Sequence, residues 1–316
     1  MYRDTPVHVI IPAYNVAPHI EGVLAGLPPF VDRITVVDDA STDDTAARVA
    51  RVAERDGRIE LLRHPENQGV GGAMVTGLRR ALEQTRGILV KMDGDGQMDP
   101  GLLPDLLDPL VEGRAEYAKG NRFLRGHALA RMPRVRLFGN FVLTFLTKLA
   151  SGYWHVFDPQ NGYLAMRSEV VALLDLDRLA RRYFFENDML VNLNIFDVRV
   201  VDVAMEARYG DETSSMNLWE VVFTFPCHLF RRYWYRFYQK HVLRDFSPVA
   251  LFMLLGLPLL SWGVLFGGYT WLHSILHGVY ASTGTVMLSV LPFLVGFELV
   301  LQAIVLEIHA SPRGER

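Results

Sequence analysis

Between positions 246 and 297 the chain carries no Asp, Glu, Lys or Arg. Two long apolar runs, about 248–272 and 285–306, lie in and just beyond this stretch. Each meets the roughly 20 residues that a helix needs to cross a bilayer. Core helices of a soluble protein this long normally carry a polar stripe. Only Glu298 and Gln302 interrupt the second run. They are four apart and share one helical face. Glu298 is either a functional intramembrane carboxylate or one placed near the interface or against a neighbouring helix. Arg231, Arg232, Arg236, Lys240 and Arg244 precede the first run, Arg313 and Arg316 follow the second, and the linker 273–284 has no charge. The positive-inside rule then puts both ends in the cytoplasm. The start, MYRDTPVHVI, reads as no signal peptide, because Asp4 and Pro6 interrupt any apolar core.

The expectation is an integral membrane protein in three parts. Residues 1–210 form a cytoplasmic domain and 211–246 form amphipathic juxtamembrane helices. Residues 247–316 form a two-helix transmembrane hairpin with a short cytoplasmic tail. The 217–245 segment mixes aromatics with Arg and Lys, which suits a headgroup layer or an amphipathic helix packed on the soluble part. Pro226 is expected to divide it into two helices. A net charge of −3 argues against a nucleic-acid partner. The single cysteine, Cys227, rules out an intrachain disulfide and a Cys-based zinc or iron–sulfur site.

The first 210 residues alternate short apolar strands with helical stretches. Strands are expected at 7–11, 34–37, 59–62, 88–92, 117–120, 162–166 and 198–205. Helices are expected at 43–55, 71–85, 102–111, 135–149 and 185–196, with a short one capped by Ser168. Ser41 or Thr42 is expected to cap the 43–55 helix. Such alternation predicts an α/β fold with a mostly parallel sheet. Ligands in such folds bind beyond the carboxyl ends of the strands. Tyr14, Asn15, Asp38, Asp39, Asp93 and Asp95 all follow strands and should converge on that edge.

The segment VKMDGDGQMDP places Asp93 and Asp95 one residue apart at a strand end. Paired carboxylates there suit a hard divalent cation, with Gln97 as a neutral oxygen donor. A solvated acidic turn has the same local pattern. VIIPAYN, VVDDASTDDT, NQGVGGAMVTGL and VKMDGDGQ occur in this order, with NRF at 121–123 and DPQNGY at 158–163. Together they resemble the family-2 glycosyltransferases, which have the GT-A fold. With the two C-terminal runs, the chain is similar to the polyprenyl-phosphate glycosyltransferases, the group that includes dolichol-phosphate mannose synthase.

The resemblance implies a metal-dependent enzyme moving a hexose or N-acetylhexosamine from a UDP- or GDP-sugar to undecaprenyl or dolichyl phosphate. It implies Mg²⁺ or Mn²⁺ as cofactor, held by Asp93, Asp95 and Gln97. Pro12, Tyr14, Asn15, Asp38, Asp39, Asp93 and Arg208 are implied at the nucleotide-sugar site. Arg122, Arg136 and Asn140 are implied at the acceptor phosphate, with Asp158, Gln160 and Asn161 lining the sugar or acceptor pocket. Asp95, Arg122, Arg136 and Asp188 are the implied catalytic residues. Asp188 stands where other family members carry a base, although a helix N-terminal charge would equally account for Glu186 and Asp188. Val16 departs from the acidic residue that many relatives place after the Tyr-Asn pair, which loosens inference about the base.

Five arginines, Arg122, Arg125, Arg131, Arg134 and Arg136, fall within fifteen residues. They form either an anion site or a solvated basic surface. The glycines of 69–72 pack near the nucleotide or serve the fold itself. Relatives also suggest a homo-oligomer associating through the hairpins. The remaining alternatives are transfer to a hydroxyl of a lipid-linked glycan and a non-catalytic nucleotide-sugar sensor.

Overall fold

A computed structural model describes residues 1–124, 134–205 and 218–315. The side chains of 134–138, 140 and 218–223 fall outside that description. The chain divides into two compact units, Met1–Tyr233 with Pro312–Arg316, and Trp234–Ser311.

In the first unit, β1 (Val7–Ala13), β2 (Arg33–Asp38), β3 (Ile59–Arg63), β4 (Ile88–Lys91), β5 (Tyr117–Asn121), β6 (Leu164–Arg167) and β7 (Val200–Ala204) form one sheet in the order β3-β2-β1-β4-β6-β5-β7. All pairings are parallel except those of β6, which runs antiparallel to both β4 and β5. The mostly parallel sheet expected from the sequence is therefore present. The reversal of β6 follows from its position, since it returns between two strands that share a direction.

The connecting helices are α1 (Ile20–Gly26), α2 (Thr45–Ala53), α3 (Val70–Gln84), α4 (Leu103–Val111), α5 (Arg134–Ser151), α6 (Ser168–Val171) and α7 (Phe185–Ile195). They cover both faces. One face packs Val9, Ile11, Val36 and Val90 against Ile20, Val49, Leu103 and Leu106. The other packs Ile10, Leu89, Leu164 and Val200 against Met74, Leu78, Phe185 and Met189. Period-two alternation sends successive strand residues to opposite layers. Helix α1 has no counterpart among the expected elements, because its seven residues are too short for a clear helical period. No Ser41 or Thr42 cap forms on α2. Asp44 occupies the N-cap position, while Asp43 accepts from the Thr45 N–H at 3.0 Å.

Helix α8 (Leu218–Phe237) runs through Pro226 without a break, contrary to the expected two helices. Proline removes one hydrogen bond, and a long helix can absorb that loss. A π-helical turn, Tyr238–Arg244, follows it. In the second unit, α9 (Pro248–His277) and α10 (Thr283–His309) have mean hydropathies of 2.2 and 2.1 over their most apolar windows. Only 28% and 11% of those windows is buried, unlike the mostly buried core helix of a soluble protein. Each is long and apolar enough to cross a bilayer. Their backbones meet at glycines: a Cβ on Gly296 would lie 2.3 Å from Leu260 N, and one on Gly263 would lie 2.6 Å from Phe293. The same unit holds a buried ion pair, Arg236 Nη1 to Glu307 Oε1 at 2.5 Å.

Candidate active site

The order of the sheet reverses at β1, with β2 on one side and β4 on the other. A crevice beyond the carboxyl ends of β1 and β4 is where such folds take ligands. Pro12 is buried within β1, and Ala13 pairs with Asp38 at the end of β2. Tyr14 is half exposed. Asn15 has φ +55°, and its Oδ1 accepts from Thr42 N at 2.8 Å, which fixes the loop. Asp38 is fully buried. Its Oδ1 accepts from Ser41 N at 3.2 Å and its Oδ2 meets Arg63 Nε at 3.4 Å.

Asp39, expected at the nucleotide site, is held by the glycine loop. Its oxygens accept from Gln68 N at 2.9 Å and Gly69 N at 2.7 Å, and His64 Nδ1 lies 2.7 Å away. Asp39 thus anchors the glycine loop. Those glycines serve the fold: a Cβ on Gly71 would sit 2.1 Å from the Ala180 carbonyl oxygen.

After β4 the acidic loop turns beneath β1. A Cβ on Gly94 would approach Val16 at 3.2 Å, so the apolar residue that departs from the family pattern packs against this loop. Asp95 Oδ1 accepts from Gln97 N at 2.9 Å, closing a tight turn. Asp93 Oδ1 accepts from Lys91 Nζ at 2.6 Å, and Asp93 stays about one-third exposed. The donor set of Asp93, Asp95 and Gln97 consists of hard oxygens, as Mg²⁺ or Mn²⁺ requires. Among the described residues no group of three or more His, Cys, Asp or Glu is arranged to hold a metal. The candidate set is thus two carboxylates and an amide, and any further ligands of a cation there would have to come from the substrate or water.

Lys91 is 1% exposed and also reaches Glu186 Oε1 at 3.2 Å. Burial opposes its ammonium, but Asp93 and Glu186 together outweigh that and hold its pKa above the ordinary lysine value. Glu186 belongs to α7, all eleven residues of which are buried. Its polar side chains must therefore find partners inside the protein. Glu186 finds Lys91. Asp188, expected at the base position, is held by two neighbours: its Oδ2 accepts from Ala180 N at 2.8 Å and Arg232 Nη2 at 2.7 Å. Burial raises its carboxyl to about 6, with Arg232 working the other way. That carboxylate ties α7 to α8.

The DPQNG loop packs on the acidic end. A Cβ on Gly162 would meet Lys91 Nζ at 2.4 Å and Asp93 Oδ2 at 2.9 Å. Lys119, fully buried on β5, donates to the Asn161 carbonyl. Burial lowers its pKa to about 8, offset in part by Glu186 and Asp158. Asn161 Oδ1 accepts from Tyr163 N at 2.9 Å. Gln160 is half-buried in the same loop.

Asp158, 2% exposed, receives a two-pronged contact from Arg122: Nε to Oδ2 at 2.7 Å and Nη2 to Oδ1 at 3.0 Å. Arg122 remains 37% exposed. Asn121, next to it, donates to Asp202 Oδ2 at 2.6 Å, and Phe157 N donates to the same oxygen at 3.0 Å. Register places Lys91, Leu164, Lys119 and Asp202 in one row across β4, β6, β5 and β7. Asp93, Asn161, Asp158 and Arg122, all expected at the site, are thus joined through this buried row.

Arg136 and Asn140 lie on α5, with their side chains outside the description. Arg125, Arg131 and Arg208 lie outside the described residues. Lys91, Lys119 and Asp202 carry no motif. Their one signal is a charge at an inward position of an otherwise apolar strand, as in ILVK.

This acidic edge belongs to a sugar-transferring enzyme fold. A family model described as glycosyl transferase family 2 matches residues 8–174, and the chain belongs to that family. It is similar to the UDP-N-acetylglucosamine–dolichyl-phosphate N-acetylglucosaminyltransferase of Methanococcus voltae, 30% identical over 67% of this chain and 92% of that protein. It is also similar to the undecaprenyl-phosphate mannosyltransferase of Micrococcus luteus, 30% identical over 66% of this chain and 87% of the relative. Glucosyl-3-phosphoglycerate synthase from Mycobacterium tuberculosis, crystallised with Mn²⁺, UDP-glucose and phosphoglyceric acid, shares the fold. It aligns with a TM-score of 0.52 at 23% identity, over 74% of this chain and 80% of that one. The GT-A-like fold expected from the motifs is the fold observed.

Proposed function

We propose that this chain is an integral membrane, inverting glycosyltransferase that moves a hexose or N-acetylhexosamine from a UDP- or GDP-sugar to polyprenyl phosphate. The observation that carries this reading is the Arg122 fork, held by buried Asp158 and still partly exposed, in a loop packed on the acidic end of β4. A guanidinium oriented along its Nε–Nη2 edge in this way would meet a phosphate oxygen pair with its Nη1–Nη2 edge. The names of the Methanococcus and Micrococcus relatives support a polyprenyl-phosphate acceptor. Exposed apolar residues continue from the fork. Phe157 precedes Asp158 and lies under Lys148 Nζ at 3.5 Å, while Phe141 and Phe145 on α5 are 70% and 49% exposed.

In this reading Pro12, Tyr14, Asn15 and Asp38 line the nucleotide site, and Arg208 adds a cation toward the diphosphate. Asp93, Asp95 and Gln97 hold Mg²⁺ or Mn²⁺, which when bound neutralises charge on the departing nucleotide diphosphate. Arg122, Arg136 and Asn140 take the acceptor phosphate, and Asp158, Gln160 and Asn161 shape the pocket around it. A phosphomonoester has a second pKa of about 6 and is largely ionised at neutral pH. The enzyme therefore needs no strong base, which accords with the internal use of Asp188. Helices α9 and α10 cross the bilayer and leave the first unit in the cytoplasm, beside acceptors confined to the membrane.

The test is incubation of the purified chain with labelled nucleotide-sugars, Mn²⁺ and undecaprenyl or dolichyl phosphate. Label should enter a lipid that releases its sugar in mild acid. Label entering only a lipid-linked glycan, or bound donor that never turns over, would refute the reading.

A further inference from the structure

Lys91 is the one charged residue of its four-residue strand, and its side chain is closed in from every described direction. Its ammonium bridges Asp93 and Glu186, and it fills the space that a side chain at position 162 would need. Glu186, 7% exposed in the first turn of a wholly buried helix, has no solvent to turn to. We propose that Lys91 and Glu186 are positioning residues that set the cation affinity of the Asp93–Asp95 loop, Glu186 supplying a second carboxylate that shares the Lys91 ammonium with Asp93.

The inference rests on the reading that Asp93 and Asp95 hold a divalent cation. The charges support it. Asp93, Asp95 and Glu186 contribute three negative charges and Lys91 one positive, which leaves two negative to meet a doubly charged ion; nearby Lys119 keeps its charge in wild type and variants alike and drops out of the comparison. Without Glu186 the sum drops to one, and the ammonium belongs to Asp93 alone. A buried ammonium next to a cation ligand competes directly with the cation, and low-dielectric surroundings magnify that competition. Glu186 is the group that relieves it. Lys91 donates to one of Asp93's two oxygens, which puts the pair in direct contact with a carboxylate of the acidic loop.

Mn²⁺ binding to the full-length chain in detergent, without substrates, is read from the electron paramagnetic resonance signal of free Mn²⁺. Glu186→Gln should raise the Mn²⁺ dissociation constant roughly tenfold. Lys91→Met combined with Glu186→Gln removes both charges and restores the sum of two, so its dissociation constant should fall within about threefold of wild type. Replacing a buried pair by neutral side chains of similar volume is often neutral for stability, so the double variant should fold, and a dissociation constant in it more than about threefold from wild type would also overturn the charge sum. Asp95→Ala is the control and should abolish binding. Wild-type affinity in Glu186→Gln, or a double variant as weak as the single, would overturn the proposal while leaving the cation site in place. Undiminished binding in Asp95→Ala would instead remove the cation reading on which it stands.

Discussion

Replacing Asp158 by Asn tests the acceptor end most sharply. Asp158 is 2% exposed and receives Arg122 Nε at 2.7 Å, Nη2 at 3.0 Å and the Arg122 N–H at 3.2 Å. Asparagine keeps the shape and one acceptor oxygen, but its amide group would face a guanidinium N–H donor to donor. One charge-assisted hydrogen bond, normally about 1.5–3 kcal/mol, is lost. Because Arg122 is about one-third exposed, water recovers part of that, which leaves about 1.5–2.5 kcal/mol of lost orientation. At 1.4 kcal/mol per tenfold, the KM for polyprenyl phosphate should rise roughly 10- to 60-fold. The KM for the nucleotide-sugar should stay within about threefold, since Arg122 and Asp158 lie at the far end of the buried row from Asp93. Steady-state rates with each substrate varied in turn, in detergent with a short-chain polyprenyl phosphate, measure both. A rise in the donor KM with the acceptor KM unchanged would refute the assignment of this pair to the acceptor.

Three further outcomes follow from the geometry. Asp188→Asn should lower kcat less than about tenfold but lower the thermal midpoint by several degrees, because one partner of a largely buried pair is lost. Its carboxyl, raised to about 6 by burial, favours the native state less as pH climbs from about 4 past 6, so the deficit of the variant should be greater at pH 5 than at pH 8. A loss of several orders of magnitude in kcat would mean that Asp188 acts as a required base. His8, buried between Thr35 and Thr85, is pushed down to about 4, chiefly by burial. The unfolded imidazole titrates near 6.5, so wild type should lose about 3 kcal/mol from this group as pH falls from 6.5 to 4. Urea unfolding of His8→Asn should lack that part of the slope, and parallel pH profiles would contradict the reasoning. Gly71→Ala places a Cβ against the Ala180 carbonyl, and calorimetry should show a loss of about 1–3 kcal/mol. An unchanged midpoint would mean that the loop at 180–182 yields freely.

Most of the sheet was legible because its strands are short apolar runs ended by carboxylates, as at Asp38 and Asp93. The direction of β6 was not, since LAMR carries no mark of parallel or antiparallel pairing. The motifs located the loops that meet at the sheet edge, but not the separate employment of neighbouring acids. Asp38 and Asp39 are adjacent, yet only backbone geometry decides that Asp39 turns to Gln68 and Gly69. Glu186 and Asp188 are two residues apart on one helix, and tertiary packing sends one to Lys91 and the other to Arg232. Lys91 and Lys119 lay hidden because a lysine in a strand usually marks an exposed face. Here the register places both inside, where only the carboxylates and carbonyl of other elements make them tolerable.

The central claim is that the sugar ends on a lipid phosphate, and phosphorus NMR of the purified lipid product tests it most directly. The account predicts one phosphorus per lipid, converted from a titrating monoester to a phosphodiester whose shift no longer moves between pH 5 and 8. A product that keeps a titrating monoester, or that contains a diphosphate, would contradict it.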